Sequence, residues 1–120
     1  MIVLDSSALL AYLFRERGSE MVKANLAGSA IGAANWSEVL TKIEGRVARS
    51  WADSILTAVG LVIEPVTRAD AIRAADLYEG NSSLSLGDRL CLALADRLEA
   101  EILTADRAWG NRERIKQIRT

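Results

Sequence analysis

Residues 85–109 read SLGDRLCLALADRLEAEILTADRAW, and the order of patterns within them decides the fold. From Leu86 to Leu98 the residues are apolar nearly all round, with Leu90, Cys91, Leu92, Ala93, Leu94 and Ala95 in succession, which predicts a central, well-buried helix. A charged break, Glu99 to Glu101, leads into the short apolar run ILT and then into Asp106, where a turn or short helix carrying Trp109 is expected. A buried helix feeding a short strand that ends in an acid is half of a parallel α/β unit.

The same grammar runs through the rest of the chain. Met1 to Leu4 forms a strand ending at Asp5, and ALLAYLF forms a helix with Ser6 or Ser7 as N-cap and Arg15 to Gly18 as its close. Ser19 to Leu26 reads as a short helix, and Ala30 and Ile31, bracketed by Gly28 and Gly32, as a buried strand. Asn35 is positioned to cap a helix whose apolar face is Trp36, Val39, Leu40 and Ile43. A second amphipathic run covers Val47 to Val59, and LVIEP supplies a strand stopped by Pro65. Thr67 caps an alanine-rich helix with Ala71, Ala74, Ala75 and Tyr78 on one face, and Gly80 to Ser83 is the most loop-like stretch. Ile115 to Ile118 supplies a last edge strand. The expected architecture is α/β, three layers around a mainly parallel sheet, with residues 1–120 forming one domain.

Composition narrows the chemistry. The 120 residues hold 50% hydrophobic side chains and 15 basic against 16 acidic groups, so no blanket basic charge marks a nucleic-acid binder, although a nuclease's acidic site and basic rim cancel in the sum. There is no histidine, and the single cysteine, Cys91, lies in an apolar run where it reads as core. No basic leader opens the chain and no apolar run approaches the roughly 20 residues that span a bilayer, so no membrane association and a cytoplasmic location are expected.

Four carboxylates fall where a parallel sheet collects ligands, beyond the carboxyl ends of its strands: Asp5, Glu38, Asp88 and Asp106. Taken singly they have plain explanations. Asp88 suits a helix first turn, Glu38 follows Asn35 at capping-box spacing, and Asp106 can cap the turn after it. Taken together they predict a site for a hard divalent cation, Mg²⁺ or Mn²⁺, because oxygen donors without histidine or a thiolate set suit those ions better than zinc. Asp5, fixed by its strand, and Asp88, on a core helix, are the principal ligands expected. Asp96, about 12 Å further along the helix, falls outside. Ser6, Ser7 and Thr104 flank the acids, and Arg89 and Arg107 each follow one and are candidate phosphate holders, with solvated or ion-paired surface arginine as the plainer reading. Trp36 and Trp109 offer stacking faces, although spacing places Trp36 in the core.

The set of Asp5 with Ser6 and Ser7, Glu38 within NWSEVL, SLGDRLCLALA around Asp88 and LTADRAW around Asp106 resembles the PIN-domain ribonucleases, most closely the VapC-type toxins of toxin–antitoxin pairs. The resemblance implies a three-layer α/β/α fold, Mg²⁺- or Mn²⁺-dependent endoribonuclease activity on RNA, and a homodimer. It makes Asp5, Glu38, Asp88 and Asp106 the acidic, metal-holding site, with Ser7 and Thr104 as supporting hydroxyls. It implies inhibition by a small cognate antitoxin, with operator DNA bound only through that antitoxin. The alternative is a catalytically silent PIN-like module that works through protein binding. A receiver domain lacks support because there are no paired acids in an early loop and no late strand-end lysine, and a haloacid-dehalogenase phosphatase would need an aspartate where Ser7 stands.

Overall fold

The computed structural model describes residues 1–80, 83–111 and 113–119. The short apolar runs become strands and the periodic segments become helices, in the order β1 (Ile2–Leu4), α1 (Ser6–Leu13), α2 (Ser19–Asn25), β2 (Ala30–Gly32), α3 (Ala33–Ile43), α4 (Arg49–Ala58), β3 (Val62–Glu64), α5 (Arg68–Asp76), α6 (Leu86–Leu98), β4 (Glu101–Thr104), a 3-10 turn (Arg107–Trp109) and β5 (Ile115–Gln117). All strand pairs are parallel and the sheet order is β3-β2-β1-β4-β5. The chain therefore builds outward from β1 in one direction, then crosses back to lay β4 on its other side. That reversal puts the topological switch between β1 and β4, where α/β sheets open a crevice beyond their carboxyl ends.

Side chains alternate across the sheet, and each face has its own core. Val3 and Ile102 pack with Cys91, Leu94 and Ala95 of α6. Their neighbours Leu4 and Leu103 point the other way, into a core with Leu9, Val39, Ile43 and Leu56. Two covered faces are what short, continuously apolar parallel strands require, because neither side of such a strand can be left to water.

Several local expectations are corrected. Asp5, not Ser6 or Ser7, caps α1: its side chain accepts from the Ala8 amide, and an acid accepting an N-terminal amide is favoured further by the helix dipole. Helix α3 begins earlier than Asn35, with Gly32 at the N-cap, which places Asn35 inside the helix. On α5, Asp70 and Ala74 are the buried residues, whereas Ala71, Ala75 and Tyr78 are exposed. Of the loop expected at Gly80 to Ser83, Asn81 and Ser82 lie outside the described residues.

The pair α5 and α6 is locked by charge. Thr67 and Asp70 form a reciprocal capping box at the start of α5, and Asp70 also receives two hydrogen bonds from Arg97 of α6, at 2.9 and 3.1 Å. Burial raises the Asp70 carboxyl, but Arg97 and the Thr67 donors outweigh it and hold it below its usual value. A depressed folded pKa stabilises the fold at neutral pH, and the contribution is lost as pH falls through that value. Arg97 is 31% exposed, so water screens part of the interaction. Arg97→Ala is expected to cost about 2 kcal/mol at neutral pH, the gap to wild type narrowing in acid. Urea unfolding across pH checks this, and a gap that does not change with pH would assign the loss to packing alone.

Candidate active site

Asp5 is the hub of the crevice. Strand β1 ends on it, its backbone amide still donates to Leu103 of β4 at 3.1 Å, and its side chain is only 4% exposed. Three neutral donors hold the carboxylate: Ser7 Oγ to Oδ1 at 2.6 Å, the Ala8 amide to Oδ1 at 2.9 Å and Thr104 Oγ1 to Oδ2 at 2.8 Å. Ser7 and Thr104 in turn accept from the amides of Ala105 and Asp106, at 2.9 and 3.0 Å. The end of β1 and the end of β4 are thus one hydrogen-bonded unit, with Asp106 leaving it as the cap of the 3-10 turn through Ala108 N at 2.9 Å.

The other two acids come from helices: Asp88 from the first turn of α6, and Glu38, expected in a first turn, from the middle of α3. Asp88 forms a capping box with Ser85: the Ser85 amide donates to its carboxylate at 3.0 Å and its own amide to the Ser85 hydroxyl at 3.1 Å. Glu38 is held by Asn35 Nδ2 at 2.9 Å, one turn back on α3. Asp5, Asp88 and Glu38 all lie near enough to Cys91 of α6 to act on its thiol. Burial pushes its thiol well up, and Asp5, Asp88 and Glu38 each push it further, so one atom of α6 feels acids from three elements.

The donor types, though not their arrangement, suit a hard divalent cation. The donors are carboxylates and hydroxyls, histidine is absent, and the one thiol is buried and kept protonated, which suits Mg²⁺ or Mn²⁺. Among the described residues, no three His, Cys, Asp or Glu side chains stand close enough to enclose an ion, and Asp88 and Asp106 are turned onto backbone N–H groups.

Of the flanking residues, Arg89 is turned away from the acids. Its Nη1 donates to the Ala74 carbonyl at 2.9 Å and its guanidinium lies 5.2 Å from the Tyr78 ring centroid. Arg107 is exposed, and Trp109 is buried in the core around α6. Trp36 packs partly buried against the opposite core. Asp96 pairs with Arg73 at 3.0 Å, outside the crevice.

Two arginines that sequence reasoning passed over share a groove with one of the four acids, Asp106. A groove of about 350 Å³ is lined by Ser7, Leu10, Phe14, Arg46, Asp106 and Arg119. The Arg46 guanidinium lies 3.7 Å from the Phe14 ring centroid, and Arg119 is anchored on the Arg17 carbonyl at 2.7 Å. No periodicity marks either residue, since each reaches the groove from outside a helix. Asn35 did carry a signal: three residues before Glu38, it shares a helix face with it once the helix start is moved back.

Burial raises the Asp5 carboxyl to about 6, against the lowering by Ser7, Ala8 and Thr104, and Asp88 adds to the rise. A carboxyl with a raised folded pKa destabilises the metal-free fold once pH exceeds its unfolded value near 3.8, and the full cost is reached above pH 6. Asp5→Asn is expected to be the more stable protein in EDTA at pH 7.5, by on the order of 3 kcal/mol at most, with the difference gone below pH 4. Urea unfolding at both pH values checks this, and a less stable variant at pH 7.5 would refute the burial cost.

The PIN-domain model matches residues 2–114. Among solved structures, a chain of a toxin–antitoxin complex from Klebsiella pneumoniae superposes with a TM-score of 0.83 at 18% identity, over 98% of each chain. VapC20 of Mycobacterium tuberculosis, described as a toxin cleaving the sarcin-ricin loop, gives 0.66 at 16% identity over 88% of each chain. DNA-bound VapBC from Salmonella typhimurium gives 0.66 at 14%, over 97% of this chain and 95% of that one. No curated protein sequence matches the chain. At these identities the superpositions speak for the fold, while the family match covers nearly the whole length: this chain belongs to the PIN-domain family.

Proposed function

We propose that residues 1–120 form a single nuclease domain that hydrolyses RNA with Mg²⁺ or Mn²⁺ and acts as the toxin of a toxin–antitoxin pair. The observation that carries this is Asp5: a carboxylate 4% exposed, raised to about 6, repelled by a second acid and held by neutral donors alone. A fold keeps so costly a group where a cation completes it.

Asp5 and Asp88 would hold the ion, with Glu38 and Asp106 completing the acidic set and Ser7 and Thr104 fixing Asp5. When bound, such an ion lowers the pKa of a water and offsets the charge of the phosphodiester. The protein's own part is to hold the acids on rigid elements and to seat the strand so that water meets phosphorus in line with the departing ribose oxygen. Of the arginines, Arg46 is the better phosphate holder, because Phe14 supports its guanidinium beside Asp106 whereas Arg89 is spent on α5. Arg107, exposed just after Asp106, is a second contact for RNA.

The partners follow from the company the fold keeps. Two of the similar chains come from a toxin–antitoxin complex and from DNA-bound VapBC, which supports a small antitoxin as the inhibitor and operator DNA bound through it. Ile72 on α5 and Tyr78 just beyond its end are exposed by 58% and 61%, apolar surface that a second copy in a homodimer would cover. No helix among the described residues is long and apolar enough to cross a membrane, and a cytoplasmic site of action is proposed with the rest. Two observations favour a silent binding module: Asp88 and Asp106 already serve helix starts, and among the described residues no three acids stand close enough to enclose an ion.

Cleavage of RNA by the purified chain separates the two. It is expected with Mg²⁺ or Mn²⁺ and not in EDTA, and Asp5→Asn is expected to reduce it by at least about a hundredfold. Partner binding without cleavage of any RNA tested would favour the silent module. Arg46→Gln is expected to raise KM several-fold with little change in kcat and to flatten the dependence of binding on salt by about one charge; an unchanged KM would remove Arg46 from the substrate path.

A further inference from the structure

We infer that Asn35 and Gly87 form a clamp that positions Glu38 against the start of α6, a role that rests on the nuclease reading of this site. Asn35 is 2% exposed, and its one amide nitrogen donates twice: to Glu38 Oε1 at 2.9 Å and to the Gly87 carbonyl at 3.1 Å. The first bond holds a side chain on its own helix, and the second reaches across to α6, one residue before Asp88. A single NH₂ group thus joins the elements that carry two of the four acids.

Gly87 is the other jaw. A Cβ at this position would stand 2.6 Å from Glu38 Oε2, 3.0 Å from its Cδ and 3.1 Å from Oε1. The Glu38 carboxylate therefore occupies the space that any other residue at 87 would fill. The backbone makes no demand for glycine, since Gly87 is absent from the positive-φ residues of the chain and sits in the first turn of α6, where alanine is the better helix former. Helix propensity thus argues against this glycine, and the carboxylate lying over it argues for it. Asn35 Oδ1 is buried without a partner, so the residue's hydrogen bonding within the protein is done through its nitrogen.

Asn35 and Gly87 are positioning residues: they touch no substrate and act through Glu38. Apart from a gain in helix propensity, Gly87→Ala changes only the room for that carboxylate, the mobile end of a flexible side chain. The variant is expected to unfold at the wild-type temperature or slightly above it, to keep its KM for RNA, and to lose about tenfold or more in kcat, as small misplacements at an active site do. In the Glu38→Ala background, adding Gly87→Ala is expected to cost nothing further. A readout free of metal and substrate accompanies these. In EDTA, the Asn35 side-chain NH₂ resonances are expected to shift in Glu38→Ala and in Gly87→Ala by comparison with wild type. Wild-type kcat in Gly87→Ala, its failure to fold, or unmoved Asn35 resonances in Glu38→Ala would each overturn the clamp. A wild-type protein that cleaves no RNA would instead count against the nuclease reading, and the resonances would still decide the clamp.

Discussion

The hydrogen bond from the Thr104 hydroxyl to Asp5, 2.8 Å long, is the contact on which the site depends. It spans the switch point of the sheet, tying the residue after β1 to the last residue of β4. Both partners are buried, Thr104 completely, so water cannot substitute for either. Ser7 repeats the tie one layer out, donating to Asp5 and accepting from Ala105. Strand register fixes where the two ends meet, because Leu4 pairs with Leu103, and a slip of one residue would turn Thr104 to the opposite face.

Around that tie, local structure and site use the same atoms. Asp5 caps α1, Asp88 closes a capping box on α6 and Asp106 caps the 3-10 turn. Backbone amides at helix starts need acceptors, and acids supply them with help from the dipole. These caps also fix where each of the three carboxylates leaves the backbone, and two of them, Asp5 and Asp88, act with Glu38 on the thiol of Cys91. Glu38 alone of the four is not a cap, and a side chain of its own helix, Asn35, holds it.

What was legible in the sequence followed from periodicity and from position along the chain. Helix α6 lies where its nearly all-round apolar pattern placed it, from Leu86 to Leu98, and β3 stops before Pro65 as expected. Asp5, Asp88 and Asp106 could be placed because strand ends and helix starts have signatures, whereas Glu38, expected in a first turn, lies in the middle of α3. Caps were harder. The choice of Ser6 or Ser7 over Asp5 failed because all three can accept an amide, and which one does depends on backbone geometry that neighbouring residues share. Asn35 looked like a cap because asparagine at capping-box spacing has that meaning in isolation, yet the glycine at 32 already started the helix. Arg46 and Arg119 were invisible because their place beside Asp106 arises from loops and a chain end meeting in space, which leaves no pattern along the chain.

The distribution of cationic partners separates acids that hold the fold from acids that hold the site. Asp70 is nearly as buried as Asp5, and Arg97 grips it with two hydrogen bonds, while Asp96 has Arg73. In the crevice the pattern inverts: Asp5 has two hydroxyls and an amide, Glu38 a carboxamide, Asp88 and Asp106 backbone N–H groups. Among the described residues, none of the ion pairs includes any of the four. The consequence is opposite in sign for two buried aspartates of one chain, with Asp70 held below its usual range and Asp5 raised above it. Neutral donors orient a carboxylate without cancelling its charge. Acids gathered in that way keep a field that can be balanced from outside the chain, which is what the proposed binding of a divalent cation requires.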